Sequence, residues 1–335
     1  MLETGNKKTL ITVIVPVFDR KEFLSEALIS LKMQSLSKEF FEVIVVKNFV
    51  DNELDNIINA MGYDSALCLG NMGERLSVGL ESANGEIISF LQDDDIFEAN
   101  KLEEIVKLFS GSQKIGYIYN GYTKIDSIGD LINPKEYSNS EQIEIFDPCS
   151  NKEILRLLVK DHYDFNLSCI SIKKEIVLEY QNILRKIVGA DDSFMFFIAA
   201  LSCYSILVTK SNLTKYRVHN SATIKNGTIE NMLLNNSLTF GRQIRTFNLL
   251  KDEFQNTFLE DVLRDGLISR IAAKNIVELN ELRRSELFQN ALNLIRHHNT
   301  INKGYFLKLL FGSAVVLINQ SVTNIFYYVY IKIRF

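Results

Sequence analysis

Residues 87–95 read IISFLQDDD: a nearly continuous apolar run from Ile87 to Leu91, then Gln92, then three adjacent carboxylates. An apolar run this short, without polar alternation, predicts a strand covered on both faces, and such strands belong to sheets with helices on either side. Three like charges at a strand's end repel one another at short range, a cost that a bound cation offsets. The stretch thus predicts an α/β architecture together with chemistry at the strand's carboxyl edge.

Upstream, LITVIV (10–15), FEVIVV (41–46) and ALCL (66–69) share this character, and residues 22–33, 54–60 and 74–83 between them carry apolar residues at helical spacing. Such alternation predicts a mostly parallel sheet with crossover helices, whose ligands bind outside the carboxyl ends of the strands. At those ends stand Pro16, Phe18, Asp19 and Arg20, then Lys47 and Asn48, then Asn71 and Arg75, then Asp93, Asp94 and Asp95. Downstream the pattern predicts a helix at 100–109 and a strand at 115–120. A polar, irregular stretch follows to about 150, holding two of the three prolines. A strand at 167–173, a buried helix at 193–201, an extended segment at 213–218 and helix from about 230 complete the chain.

The 335 residues include 47% hydrophobic and 23% charged residues, a globular composition that excludes disorder for most of the chain. Lys+Arg 37 against Asp+Glu 41 leaves a net charge of −4, so no electrostatic footprint for nucleic acid exists. Cysteines 68, 149, 169 and 203 show no metal-ligand spacing and are expected to be buried, reduced thiols. The first residues lack a cationic leader and cleavage site, which points to the cytoplasm.

Two further groups carry chemistry. Mg²⁺ takes oxygen ligands, commonly one or two carboxylates plus water and substrate phosphates, so the acidic run suits a metal–diphosphate site. Asp191 and Asp192 open a helix among Phe194, Met195 and Phe196. They read either as a helix cap or as a general base whose proton affinity its apolar surroundings raise. In YRVHNSAT (216–223), Arg217 and His219 lie two apart, so on an extended chain both reach one anion or metal.

PVFDR, Asn71 and Gly73, Ala83 with Gly85 and Glu86, FLQDDD, GADD and YRxHxxSxT occur here in one order. Together they resemble family 2 inverting glycosyltransferases of the GT-A fold over roughly residues 8–225. The resemblance implies a GT-A-like α/β sheet with flanking helices and a helical C-terminal region. Residues 1–120 would form the nucleotide-sugar half, 121–228 the acceptor and catalytic half, and 229–335 the helical region. It implies a nucleotide-sugar donor, a glycan or lipid-linked acceptor, and Mn²⁺ or Mg²⁺ as cofactor. Asp94 would hold the metal with Asp95 and His219. Asp93 would meet ribose, water or metal, and Phe18 would pack on the base. Pro16, Asp19, Arg20, Asn48, Asn71, Arg75, Arg217 and His219 would line the donor. Asp192, beside Asp191, falls on the family's catalytic carboxylate. Two positions depart from the pattern: Lys47 and Asn48 replace an Asp-rich turn that reads the base, and Gln92 replaces the first acid of the DxD-type motif.

Leu309–Ile331 is 23 residues without a charge, flanked by Lys303, Lys308, Lys332 and Arg334. Polar residues Gln320, Thr323 and Asn324 gather on one side of it, which predicts a peripheral contact with the cytoplasmic face of a membrane. Packing on the chain's own domain or in a homodimer seam, and a true membrane span, are the alternatives. A nucleotidyltransferase would want a glycine-rich phosphate loop after the first strand, and PVFDR has no glycine. A non-catalytic binding protein has a motive in the changed turn at Lys47, against which stand the two acidic clusters.

Overall fold

A computed structural model describes residues 9–19, 21–134, 140, 142–149, 151, 153–219, 229–278, 292 and 295–296. Strand β1 (Ile11–Val17) is buried at every position, as an apolar run flanked by strands on both sides must be. It is followed by α1 (Leu24–Lys32), β2 (Phe41–Lys47), α2 (Asn52–Ala60), β3 (Asp64–Leu67), α3 (Met72–Ser82) and β4 (Ile87–Phe90). Next come β5 (Ile96–Phe97), α4 (Lys101–Ser110), β6 (Ile115–Ile125), β7 (Ile143–Phe146) and α5 (Glu153–Lys160). Then follow β8 (Ile170–Lys173), α6 (Lys174–Glu179), α7 (Gln181–Leu184), α8 (Asp191–Leu201), β9 (Ser205–Arg217), α9 (Ile229–Glu253) and α10 (Glu260–Val277). Among the described residues nine strands form one sheet in the order β3-β2-β1-β4-β8-β6-β9-β5, with β7 on β9.

The sheet is parallel through β3, β2, β1 and β4, and mixed beyond, where β8 runs antiparallel to both β4 and β6. Val13, Val15 and Val17 pack with Leu24, Leu28 and Leu31 of α1 in the core. β6 runs unbroken across residue 120, so the two halves expected to meet there share one sheet.

Local chemistry sets the helix starts that matter to the site. Asp51 caps α2 by accepting the Leu54 N–H at 3.0 Å. Asn71 and Glu74 form a capping box on α3, with bonds of 3.0 and 2.7 Å. Gly73 is required by close approach: a Cβ there would stand 1.8 Å from the Leu184 carbonyl oxygen. Its N–H donates to the Ile187 carbonyl at 3.0 Å, which draws the start of α3 against the segment leading into α8.

Several boundaries differ from the sequence pattern. β3 begins two residues earlier than ALCL, because it is an edge strand paired only with β2 and Leu69 is 75% exposed. Residues 167–169 form a 3₁₀ turn rather than strand, since Asn166 at φ 63 turns the chain just before them. β9 starts at Ser205, well before 213, and its polar middle is absorbed by register shifts against β6 near Gly121. The stretch to 150 includes β7, an exposed edge strand.

Cys149 and Cys203 form a disulfide, which corrects the expectation of four reduced thiols. Cys68 and Cys169 are free, and burial pushes the Cys169 thiol up to about 12. A bond between residues 54 apart has no local sequence signal, and it removes the cysteine argument for a reducing compartment. Thiol titration of the denatured, unreduced protein is expected to find two groups, and Cys203→Ser should lower stability by about 2–4 kcal/mol. Four titratable thiols would disprove the bond.

The chain divides into two compact units, residues 1–154 with 163–219, and residues 155–162 with 220–335. In the second, α9 and α10 pack through Phe247, Leu250, Phe254, Val262 and Leu263, all buried. A Cβ on Gly266 would stand 2.5 Å from the Phe247 ring, so glycine lets that ring lie against α10. Among the described residues no helix is long and apolar enough to cross a membrane. The uncharged segment at 309–331, and with it the expected membrane contact in 305–335, lies outside the described residues.

Candidate active site

At the end of β4 the three adjacent carboxylates are sorted by direction. Asp93 is buried, and its Oδ2 accepts the Phe18 N–H at 3.1 Å, tying the β4 end to the β1 end. Asp95 is fully buried, and its Oδ1 accepts the Arg217 N–H at 3.0 Å. Burial, and then the charge of Asp94, pushes Asp95 up to about 7. Asp94 alone of the three is partly exposed, and its Oδ2 lies 3.1 Å from His219 Nε2. The imidazole is held edge-on against Phe23, centroids 4.5 Å apart.

Arg217 also reaches Asp94, but through the main chain: its Nε donates to the Asp94 carbonyl at 2.9 Å. Its terminal nitrogens donate to the Asp126 and Ser127 carbonyls at 3.2 Å and to Glu26 at 2.6 Å, over the Phe23 ring. The guanidinium is thus a clamp that fixes the acidic turn.

Beneath the turn lies a cation that the sequence did not announce. Lys101, at the start of α4, is fully buried and donates to the Ser168 carbonyl and to Thr214 Oγ1 at 2.9 Å. Burial pulls its ammonium down to about 7, while Cys169 and Asp95 favour the charged form. In NKLEE it reads as an ordinary surface lysine.

The donor side collects around Phe18, Arg75 and Asp19. Pro16 lies on β1 past the last residue paired with β4, Ile14, where the sheet opens and a missing N–H costs no ladder bond. Phe18 is 39% exposed, with the Arg75 guanidinium 4.9 Å from its ring centroid. Arg75 is buried, donates to the Gly70 carbonyl at 2.8 Å, and lies within electrostatic reach of Asp191, Asp93 and Asp19. Asp19 has φ 48 and is held by Asn48 in reciprocal bonds of 2.9 and 3.1 Å. Lys47, in the expected acidic turn, points inward: it is buried and pairs with Asp55 at 2.5 Å. Asn71 spends its side chain on the α3 cap and on the Arg185 carbonyl at 3.1 Å. Arg20 lies outside the described residues.

The second acidic pair opens α8. Ala190, at φ 54, takes the cap position, so neither acid is the cap residue. Asp192 Oδ1 accepts the Ser193 N–H at 2.8 Å and Oδ2 the Asn166 N–H at 3.0 Å. Burial first, then the charges of Asp191 and Asp164, push Asp192 up to about 7. Burial also raises Asp191, on which Arg75 acts in the opposite sense. Asp164, absent from the sequence reading, accepts the Ser193 hydroxyl at 2.9 Å. Tyr216 lies within electrostatic reach of Asp94, Asp95 and Asp192, and so stands near both acidic groups.

Among the described residues no cluster of three or more His, Cys, Asp or Glu side chains is arranged to hold a metal. The facing Asp94 carboxylate and His219 imidazole nevertheless fit Mg²⁺ or Mn²⁺, which keep several positions for water and substrate phosphate. Asp95 is fully buried, with its Oδ1 taken by the Arg217 N–H.

A family model described as "Glycosyl transferase family 2" matches residues 12–180. An uncharacterized glycosyltransferase of Rickettsia typhi is 26% identical over 145 residues, 41% of this chain and 44% of that protein. One from Rickettsia felis is 32% identical over 131 residues, 37% and 21% of the two chains. The matched segment is thus less than half the length of these relatives. Staphylococcus aureus TarS 1–349 in complex with UDP has a TM-score of 0.55 at 16% identity, covering 96% of this chain and 86% of that one. Mannosyltransferase PcManGT from Pyrobaculum calidifontis, in complex with GDP-Man and Mn²⁺, has a TM-score of 0.51 at 16% identity, covering 93% and 87%.

Proposed function

The chain belongs to glycosyl transferase family 2, and from that premise we propose that it is a glycosyltransferase that moves a sugar from a nucleoside-diphosphate donor to an acceptor hydroxyl with inversion. One observation carries this reading: the Asp94–His219 pair and the separate, buried carboxylate of Asp192 both lie within reach of one side chain, Tyr216. The chemistry needs one group for each task. The acceptor oxygen attacks the anomeric carbon from the face opposite the diphosphate. Its proton passes to the Asp192 carboxylate, and the bond from the anomeric carbon to the diphosphate oxygen breaks with its electron pair. Asp94 and His219 would hold a divalent ion, which when bound neutralises charge on the diphosphate. Arg217 and Lys101 keep the acidic turn in place, and Arg75 with Phe18 orients the donor.

Asn48 spends one amide donor and its oxygen on Asp19, and its second N–H can still pair with a base edge, so donor binding can survive the loss of the acid with an altered base preference. Related folds are known with UDP and with GDP-Man, and both bases belong in the test. A hydrolysis screen over UDP- and GDP-sugars with Mn²⁺ should find one donor turned over, and NMR of the first-formed product should show the inverted anomer. Retention of configuration would remove Asp192 from the role of base. Failure to bind any nucleotide sugar would sink the transfer reading. Release of pyrophosphate from a nucleoside triphosphate and a sugar phosphate would favour a nucleotidyltransferase instead.

The acceptor is a glycan or lipid-linked saccharide, brought within reach by residues 305–335 docked on the inner face of the membrane. Vesicle flotation with anionic liposomes should recover the full chain and leave a truncation before Gly304 in solution. Recovery of neither form with lipid would move the segment to a packing or dimer role.

A further inference from the structure

The segment 163–166 is pinned at three of its four residues. The Tyr163 carbonyl accepts the Tyr117 hydroxyl at 3.0 Å, and its ring packs on Tyr119 at 5.4 Å. Asp164 holds Ser193, and the Asn166 N–H holds Asp192, with Asn166 in the left-handed region at φ 63. Phe165 is the exception: it is 37% exposed. Its ring meets Tyr216 edge-on at 5.6 Å and Tyr122 at 6.4 Å, and those two rings meet each other at 5.8 Å. A lone exposed aromatic needs no explanation in general. This one sits one peptide bond from the amide that binds the Asp192 carboxylate, and it packs on the tyrosine that lies within electrostatic reach of both acidic groups.

We propose that Phe165, backed by Tyr122 and Tyr216, is the platform on which the acceptor stacks, and that the acceptor is a sugar ring rather than an open-chain polyol. The inference rests on the transfer reading above. A pyranose presents a patch of C–H groups on one face, whose slight positive charge meets the negative face of an aromatic ring. Its hydroxyls project from the rim. A ring lying on Phe165 therefore turns its rim toward the neighbouring carboxylate, which is the arrangement Asp192 needs to take a hydroxyl proton. An open chain has no such face, and a bare phosphate would be repelled by Asp192, Asp191 and Asp164. Pinning residues 163, 164 and 166 fixes the platform in advance and so lowers the ordering cost of binding.

The full-length protein with Mn²⁺ and UDP or GDP is examined by saturation-transfer NMR against methyl β-D-glucopyranoside, methyl α-D-mannopyranoside and ribitol. Saturating aromatic protons should transfer to the ring hydrogens of at least one pyranoside and not to ribitol. Phe165→Leu should weaken that pyranoside's dissociation constant by about tenfold, in line with the loss of one aromatic contact, and Phe165→Trp should keep it within about threefold. Calorimetry of UDP or GDP binding on the same samples reports the donor half. A parallel loss of nucleotide binding in both variants would overturn the proposal in favour of a structural role. So would unchanged pyranoside affinity in Phe165→Leu, absence of transfer to every pyranoside, or equal transfer to ribitol. A wild-type protein that turns over no nucleotide sugar but binds a pyranoside through Phe165 would sink the transfer reading alone. Turnover with no role for Phe165 would sink this one alone.

Discussion

Asp192→Asn is expected to lower sugar transfer by about 10²–10⁴ at saturating substrates, the usual worth of a general base, while nucleotide binding stays near wild type. The side chains are nearly isosteric, but the carboxylate accepts two backbone N–H groups, from Asn166 and Ser193, and a single amide oxygen can keep only one. That loss costs on the order of 1 kcal/mol. Against it stands the removal of a carboxylate that burial pushes up to about 7. The raised value means that the folded state favours the protonated acid, so its contribution to stability is complete below the unfolded carboxylate range. That contribution is lost as pH rises through about 7. The melting temperature of Asp192→Asn relative to wild type should therefore improve between pH 5 and pH 8. The same ionisation makes the base competent, so wild-type kcat/KM should rise with pH across this range and the residual rate of the variant should not. Turnover within tenfold of wild type would pass the role to Asp191, whose affinity for a proton burial also raises.

The parallel half of the sheet was legible because burial on both faces leaves runs without polar residues, as in β1, β2 and β4. That rule lapses at an edge, and β3, exposed along one side, moved off its apolar run. It lapses again in β9, a long strand whose polar TKSN stretch is tolerated because register shifts near Gly121 let the ladder continue. Within the site, the period put Arg217 and His219 on one side and the family resemblance put Asp94 with His219, and those two side chains lie 3.1 Å apart. Arg217 was foreseen to act beside His219, and both do reach Asp94, yet period says only which side a residue faces. It could not show that the guanidinium would find carbonyls and Glu26. Lys101, Asp164 and Asn166 gave no signal, because a buried lysine is recognised only by what surrounds it. The partner of Cys149 was equally silent, being set by the antiparallel pairing that lays the end of β7 beside the start of β9.

Asp94→Ala is expected to abolish the Mn²⁺ or Mg²⁺ requirement for UDP or GDP binding and to lower transfer by at least about 10², the scale of one electrostatic contact to a developing charge. The choice of Asp94 over its neighbours follows from where the three carboxylates are spent. Asp93 is buried and holds the Phe18 N–H, so its loss would loosen the junction of β1 and β4. Asp95 is fully buried, and its Oδ1 is spent on the Arg217 N–H. Asp94 faces His219 and is the one of the three within reach of solvent. Asp95→Asn therefore separates the two roles. It should lower the melting temperature, because a carboxylate oxygen buried on the Arg217 N–H is replaced by an amide, while leaving the metal dependence of nucleotide binding in place. Calorimetry with and without the metal distinguishes the variants. If Asp94→Ala binds nucleotide with an undiminished metal requirement, the ion is held elsewhere. If Asp95→Asn loses that requirement at a wild-type melting temperature, Asp95 is a ligand.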